Sequence, residues 1–180
     1  MLIRPDASML LLIDLQERLL PAIDGGATVV ENAVWLTRIA RRLSVPVGAT
    51  VQYPQGLGYF PPVLADLLAP GETIEKIHFS AVRDGRLKPL AGFDRPQVVV
   101  AGSETHVCVL QTVLDLRAAG KEVYLVADAV GSRRATDRAF GIERMQQAGA
   151  HIVTREMVAF EWLEKAGTEV FREISRNFLR

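Results

Sequence analysis

One cysteine is present among 180 residues. No disulfide can therefore form within the chain, no cysteine-rich zinc site can be built, and a reducing compartment is the natural setting. An excess of charge of either sign is also missing. The 21 Lys and Arg balance the 21 Asp and Glu, which leaves no overall basic field to attract nucleic acid or an anionic membrane surface. Long apolar runs are lacking as well: the run near the start, Met9 to Ile13, has five residues and stops at Asp14, too short for a signal segment or a membrane span. Repeats, low-complexity tracts and long linkers do not occur. These absences predict a cytoplasmic protein of one domain over residues 1–180. Its expected partners are a small-molecule substrate and further copies of itself, with no nucleic acid and no membrane.

What is present is alternation. "SMLLLID" (8–14), "VPVGATV" (45–51), a stretch within "ETIEKIHFS" (72–80), "PQVVVAG" (96–102), "KEVYLVADA" (121–129) and "HIVT" (151–154) read as six strands. Between and after them, residues 26–44, 105–120, 135–150, 155–165 and 168–178 carry apolar residues near helical spacing. Regular βαβ order predicts an α/β fold of three layers, α/β/α, in which a six-stranded parallel sheet has helices on both faces. Such sheets bind ligands outside the carboxyl ends of their strands, where the strand order reverses.

Three chemistry-bearing residues fall at those ends. Asp14 closes the apolar "LLLID", Lys76 sits in "EKIHFSA", and Cys108 follows "VVVAG" at the start of a helical pattern. Each has a bland reading: a turn-capping carboxylate, a solvated lysine, an inert core thiol. If they converge, the chemistry is acyl transfer. The cation and a helix N-terminus lower the thiol pKa, and the carboxylate takes the thiol proton and later returns it to a leaving group.

The segments "LLLIDLQ", "TVQYPQGLG", "EKIHFSA", "VVVAGSETHVCV", "YLVADAVGSR" and "MQQAGAHIVTREMVAFE" together resemble the isochorismatase-like superfamily of cysteine hydrolases, which includes nicotinamidases and N-carbamoyl-amide hydrolases. The similarity is greatest to its nicotinamidase-related branch of small hydrolases. The resemblance implies an Asp14, Lys76, Cys108 catalytic triad and no cofactor. It also implies a cis peptide between Ser103 and Glu104, which turns the backbone N–H of Glu104 toward that of Cys108 to form an oxyanion hole. Homo-oligomerisation is expected on the same ground.

His106 lies two residues before Cys108, a spacing at which helical side chains do not face each other. His78, two after Lys76, would share a face with it on an extended strand. Gln52, Tyr53, His78 and His106 are candidates for the substrate pocket. Nicotinamidases carry an Asp/His metal cluster after the second strand. Here "TVQYPQGLGYFPP" offers no Asp, His, Glu or Cys, so no metal site is expected and nicotinamide is disfavoured as substrate. The reading is a hydrolase of a non-peptide C–N bond in a small amide or carbamoyl compound, acting through a thioester. Two alternatives stand beside it: a thiol redox or peroxide sensor, and a catalytically silent oligomeric scaffold of the same fold.

Overall fold

A computed structural model describes residues 1–179. Six strands, β1 (Ser8–Ile13), β2 (Val47–Gln52), β3 (Thr73–Lys76), β4 (Gln97–Ser103), β5 (Glu122–Gly131) and β6 (His151–Val153), form one parallel sheet in the order β3-β2-β1-β4-β5-β6. The helices are α1 (Gly26–Arg42), the short α2 (Pro54–Leu57) and α3 (Pro62–Ala65), α4 (Leu110–Ala118), α5 (Ala135–Gln147), α6 (Arg155–Leu163) and α7 (Glu169–Phe178).

All six residues of β1 are buried because the sheet is covered on both sides, which is why this strand reads as an unbroken apolar run. Strand periodicity divides its side chains between two cores. Leu10 and Leu12 join Val99 and Ala101 under α1, α6 and α7, whereas Met9, Leu11 and Ile13 join Val98 and Val100 under α4 and α5. Each fully buried aliphatic side chain contributes roughly 1.5–3 kcal/mol. The α1 stripe Val29, Ala33, Leu36 and Ala40 faces the first core, and Arg41 and Arg42 lie in its last turn, where positive charge complements the helix dipole.

Chain order runs from β1 outward to β2 and β3, then returns to β4 on the other side of β1. The reversal therefore falls between β1 and β4. There the strands approach closely: a Cβ on Gly102 would lie 2.4 Å from the carbonyl oxygen of Ile13, so no larger residue fits without moving β1 or β4.

Two expected elements differ. The third strand ends at Lys76, and Ile77–Ser80 bend away from the sheet. The helix expected from 105 begins as one wide π-type turn, Thr105–Val109, before α4.

Candidate active site

Asp14 follows β1 at the reversal point. Its backbone is left-handed (φ +52°), and its amide donates to the Thr50 carbonyl at 3.0 Å. The carboxylate is fully buried. One oxygen accepts from Thr50 Oγ1 and the other from Lys76 Nζ, both at 2.7 Å. Lys76 reaches this position because β3 pairs with β2 in the register Gln52↔Lys76. Its ammonium also donates to Gln52 Oε1 (2.7 Å) and to the carbonyls of Phe79 (3.1 Å) and His78 (3.3 Å). The bend after β3 is what supplies the two carbonyls. A buried ion pair persists when its remaining valences are satisfied in this way.

Cys108 lies in the π-type turn, 3% exposed, and belongs to the apolar cluster that also holds Ile13, Val109 and Val130. Burial pushes the thiol well above its ordinary range. The Asp14 carboxylate adds to this, as a nearby negative charge and as acceptor for the S–H, while Lys76 pulls in the opposite direction. The direction is opposite to the lowering expected from cation and helix terminus, and its leading cause is desolvation.

The expected cis bond between Ser103 and Glu104 is absent, since every peptide bond among the described residues is trans. The sharp turn is made instead by Glu104 in the left-handed region, φ +58° and ψ +58°, at the smaller cost of about 1–2 kcal/mol. The Glu104 carbonyl accepts from the amides of Val107 (2.8 Å) and Val109 (3.3 Å) and passes over the amide of Cys108 between them. Asp14, Tyr53 and Glu104 are three of the five non-glycine residues with positive φ. They follow β1, β2 and β4, so left-handed backbone collects around this one site.

The pocket candidates divide. Gln52 holds the Lys76 ammonium directly. Tyr53 and His78 line a cavity of about 510 Å³ that also reaches Lys76, Ile77 and Arg86. His78 does not share a strand face with Lys76, because the chain has left the sheet by then; its Nδ1 contacts the Asp84 carboxylate. His106 Nδ1 shares a hydrogen bond with Ser132 Oγ at 3.0 Å.

Several residues that position the site escaped the sequence reading. Thr50 orients Asp14. Ser103 Oγ donates to the Asp14 carbonyl, tying β4 to the turn after β1. Gln16, fully buried, donates to the carbonyls of Gln52 (3.0 Å) and Gly58 (2.7 Å) and accepts from the Gln52 amide (2.7 Å). A lone polar residue inside an apolar stretch is the available signal for Thr50 in "GATV" and for Gln16 in "IDLQ".

The fold is a three-layer α/β/α one, with a buried ion pair and a buried thiol after strands of its parallel sheet. Residues 8–157 match the isochorismatase domain, and the chain belongs to the isochorismatase family. It is 38% identical to isochorismatase domain-containing protein 2A of Mus musculus over 176 residues, 97% of this chain and 84% of the mouse protein. The structure of the MAR1 ribonuclease from Caenorhabditis elegans superposes with a TM-score of 0.90 at 36% identity, covering 100% of this chain and 93% of that one. The ycaC gene product of Escherichia coli, an octameric hydrolase of unknown specificity, shares the fold with a TM-score of 0.90 at 23% identity, covering 99% and 91% of the two chains. No helix among the described residues is long and apolar enough to cross a membrane.

Proposed function

We propose that this protein is a cysteine hydrolase that cleaves the C–N bond of a small amide or carbamoyl compound through a thioester. The observation that carries this reading is the fully buried Asp14–Lys76 pair at 2.7 Å, with Asp14 after the strand that neighbours β4, whose following turn carries the buried Cys108. Asp14 accepts the thiol proton as sulfur attacks the carbonyl carbon. Lys76 keeps a positive charge beside the sulfur as negative charge develops on it. The Cys108 amide, in the turn that carries the sulfur, receives the oxyanion, a contribution of about 3–4 kcal/mol for such a donor in comparable sites. Asp14 then protonates the departing amine, and water attacks the thioester to release the acid and free the thiol. A cavity beside Lys76, lined by Tyr53, Ile77 and His78 and not by Cys108 or Asp14, is the candidate room for the body of the substrate.

A peroxide sensor is disfavoured because Cys108 is 3% exposed and the chain has no second cysteine to resolve a sulfenic acid, whereas that chemistry draws on exposed thiolates. A silent scaffold has no need of a buried ion pair beside a thiol. The C. elegans relative is called a ribonuclease; against RNA as substrate here stand the balanced charge of the chain and a nucleophile that is a buried thiol.

The test is release of amine or ammonia from a panel of small amides, ureas and carbamoyl compounds, with an RNA oligomer in parallel. Turnover of a panel member that disappears in Cys108→Ala and in Asp14→Asn supports the reading. RNA cleavage that survives Cys108→Ala, or amide turnover that survives it, overturns it.

A further inference from the structure

The mechanism leaves the side chain of Glu104 without a task. That carboxylate is only 10% exposed and belongs to the turn that carries Cys108. The β4–β5 register Ser103↔Gly131 brings the loop after β5 alongside, and from it Arg133 closes over the carboxylate. Arg133 Nε lies 2.9 Å from Oε1, and Nη2 donates to Oε2 at 3.3 Å. Oε1 receives no well-directed hydrogen bond, so proximity of the guanidinium charge is what offsets it.

We propose that Arg133 is a positioning residue for Cys108, acting through Glu104: it neutralises a buried carboxylate at the head of the turn that carries the sulfur, so that the sulfur can carry negative charge during attack. This rests on the reading of Cys108 as nucleophile.

The charges around Cys108 come from each neighbouring strand end. Asp14 from β1 and Glu104 from β4 both oppose ionisation, whereas Lys76 from β3 favours it. Lys76 is already committed to Asp14, which leaves Glu104 to be balanced by Arg133. The other groups packed near the turn are engaged elsewhere. His106 bonds Ser132, Arg138 of α5 donates to the carbonyls of Val130 and Ala127, and Asp115 of α4 pairs with Arg83. Facing the turn from α5 is Gly141, where a Cβ would lie 3.2 Å from His106 Cα, so no charged side chain enters from that side. Arg133 is itself 60% exposed, which lets it be replaced without opening the core.

The experiment is the pH dependence of Cys108 alkylation by iodoacetamide, which requires no knowledge of the substrate, in wild type, Arg133→Met, Arg133→Lys and the double variant Arg133→Met/Glu104→Gln. Arg133→Met moves the profile to higher pH and slows alkylation at pH 8 by about three- to tenfold, up to one pH unit of displacement. Arg133→Lys recovers most of the rate, and the double variant returns to within about twofold of wild type. Thermal melting of each protein checks that the fold is kept. A profile for Arg133→Met that superimposes on wild type overturns the proposal, as does a double variant as slow as Arg133→Met. Amide turnover that persists in Cys108→Ala instead overturns the underlying reading of Cys108.

Discussion

Lys76 Nζ stands 2.7 Å from Asp14 Oδ2, and both side chains are wholly removed from solvent although 62 residues separate them in sequence. The pair joins the ends of β1 and β3 across β2. Removing one member strands the other as an uncompensated buried charge, at a cost of about 3–5 kcal/mol. Lys76→Met should therefore lower stability by that amount in urea unfolding and abolish turnover. The double variant Asp14→Asn/Lys76→Met should recover most of the stability and none of the turnover. Equal stability of the single and double variants would show that the pair is not coupled.

Thr50 gives a milder perturbation of the same centre. Thr50→Val keeps the shape and removes the bond to Asp14 Oδ1. A lost hydrogen bond to a buried charged group costs about 1.5–3 kcal/mol. We expect that loss of stability together with a fall in kcat of about tenfold, as the carboxylate gains freedom to turn from the sulfur. Steady-state kinetics with unaltered kcat would remove Thr50 from the account.

The Cys108 thiol makes an alkaline prediction. Its folded pKa is raised above the unfolded value, chiefly by burial and next by Asp14. Above the unfolded pKa, about 8.5, the unfolded chain releases this proton while the folded chain keeps it. The contribution to stability is complete below that pH and declines as pH rises beyond it. Urea midpoints measured from pH 7 to pH 10.5 should fall more steeply for wild type than for Cys108→Ala. Parallel slopes would contradict a protonated resting thiol.

Gly102 tests the close approach at the reversal point. The added Cβ of Gly102→Ala meets the Ile13 carbonyl oxygen at 2.4 Å and the Ile13 Cβ at 2.8 Å, atoms fixed to the backbone of β1. Overpacking of this kind costs about 1–3 kcal/mol or more, and because Ile13 precedes Asp14, activity should fall further than stability alone explains. A variant with wild-type melting temperature and turnover would argue against a rigid β1–β4 contact.

Most of the architecture was legible in the sequence because it follows from apolar periodicity: all six strands and the five longer helices fall near their expected places. The proposed triad was chosen through a resemblance and through the rule that functional residues follow parallel strands, and what the structure adds is the buried pairing of Asp14 with Lys76. The misses share a cause. The bend after Lys76, the left-handed Glu104 and the π-type turn are backbone choices dictated by tertiary hydrogen bonds, not by local propensity. The rise in the thiol pKa likewise depends on how deeply Cys108 is packed, and spacing along the chain carries no measure of that. Arg133 meets Glu104 only because β5 pairs with β4, a long-range register that "GSRR" does not encode by itself.

The most direct measurement is peptide mapping by mass spectrometry after acid quenching of the enzyme during turnover of an active amide. An acyl group of the substrate's mass on Cys108, absent when Cys108→Ser is treated in the same way, is the predicted result. Sustained hydrolysis with Cys108 unmodified at every quench time, in an enzyme whose acylation outpaces its deacylation in pre-steady-state release of amine, would contradict the account.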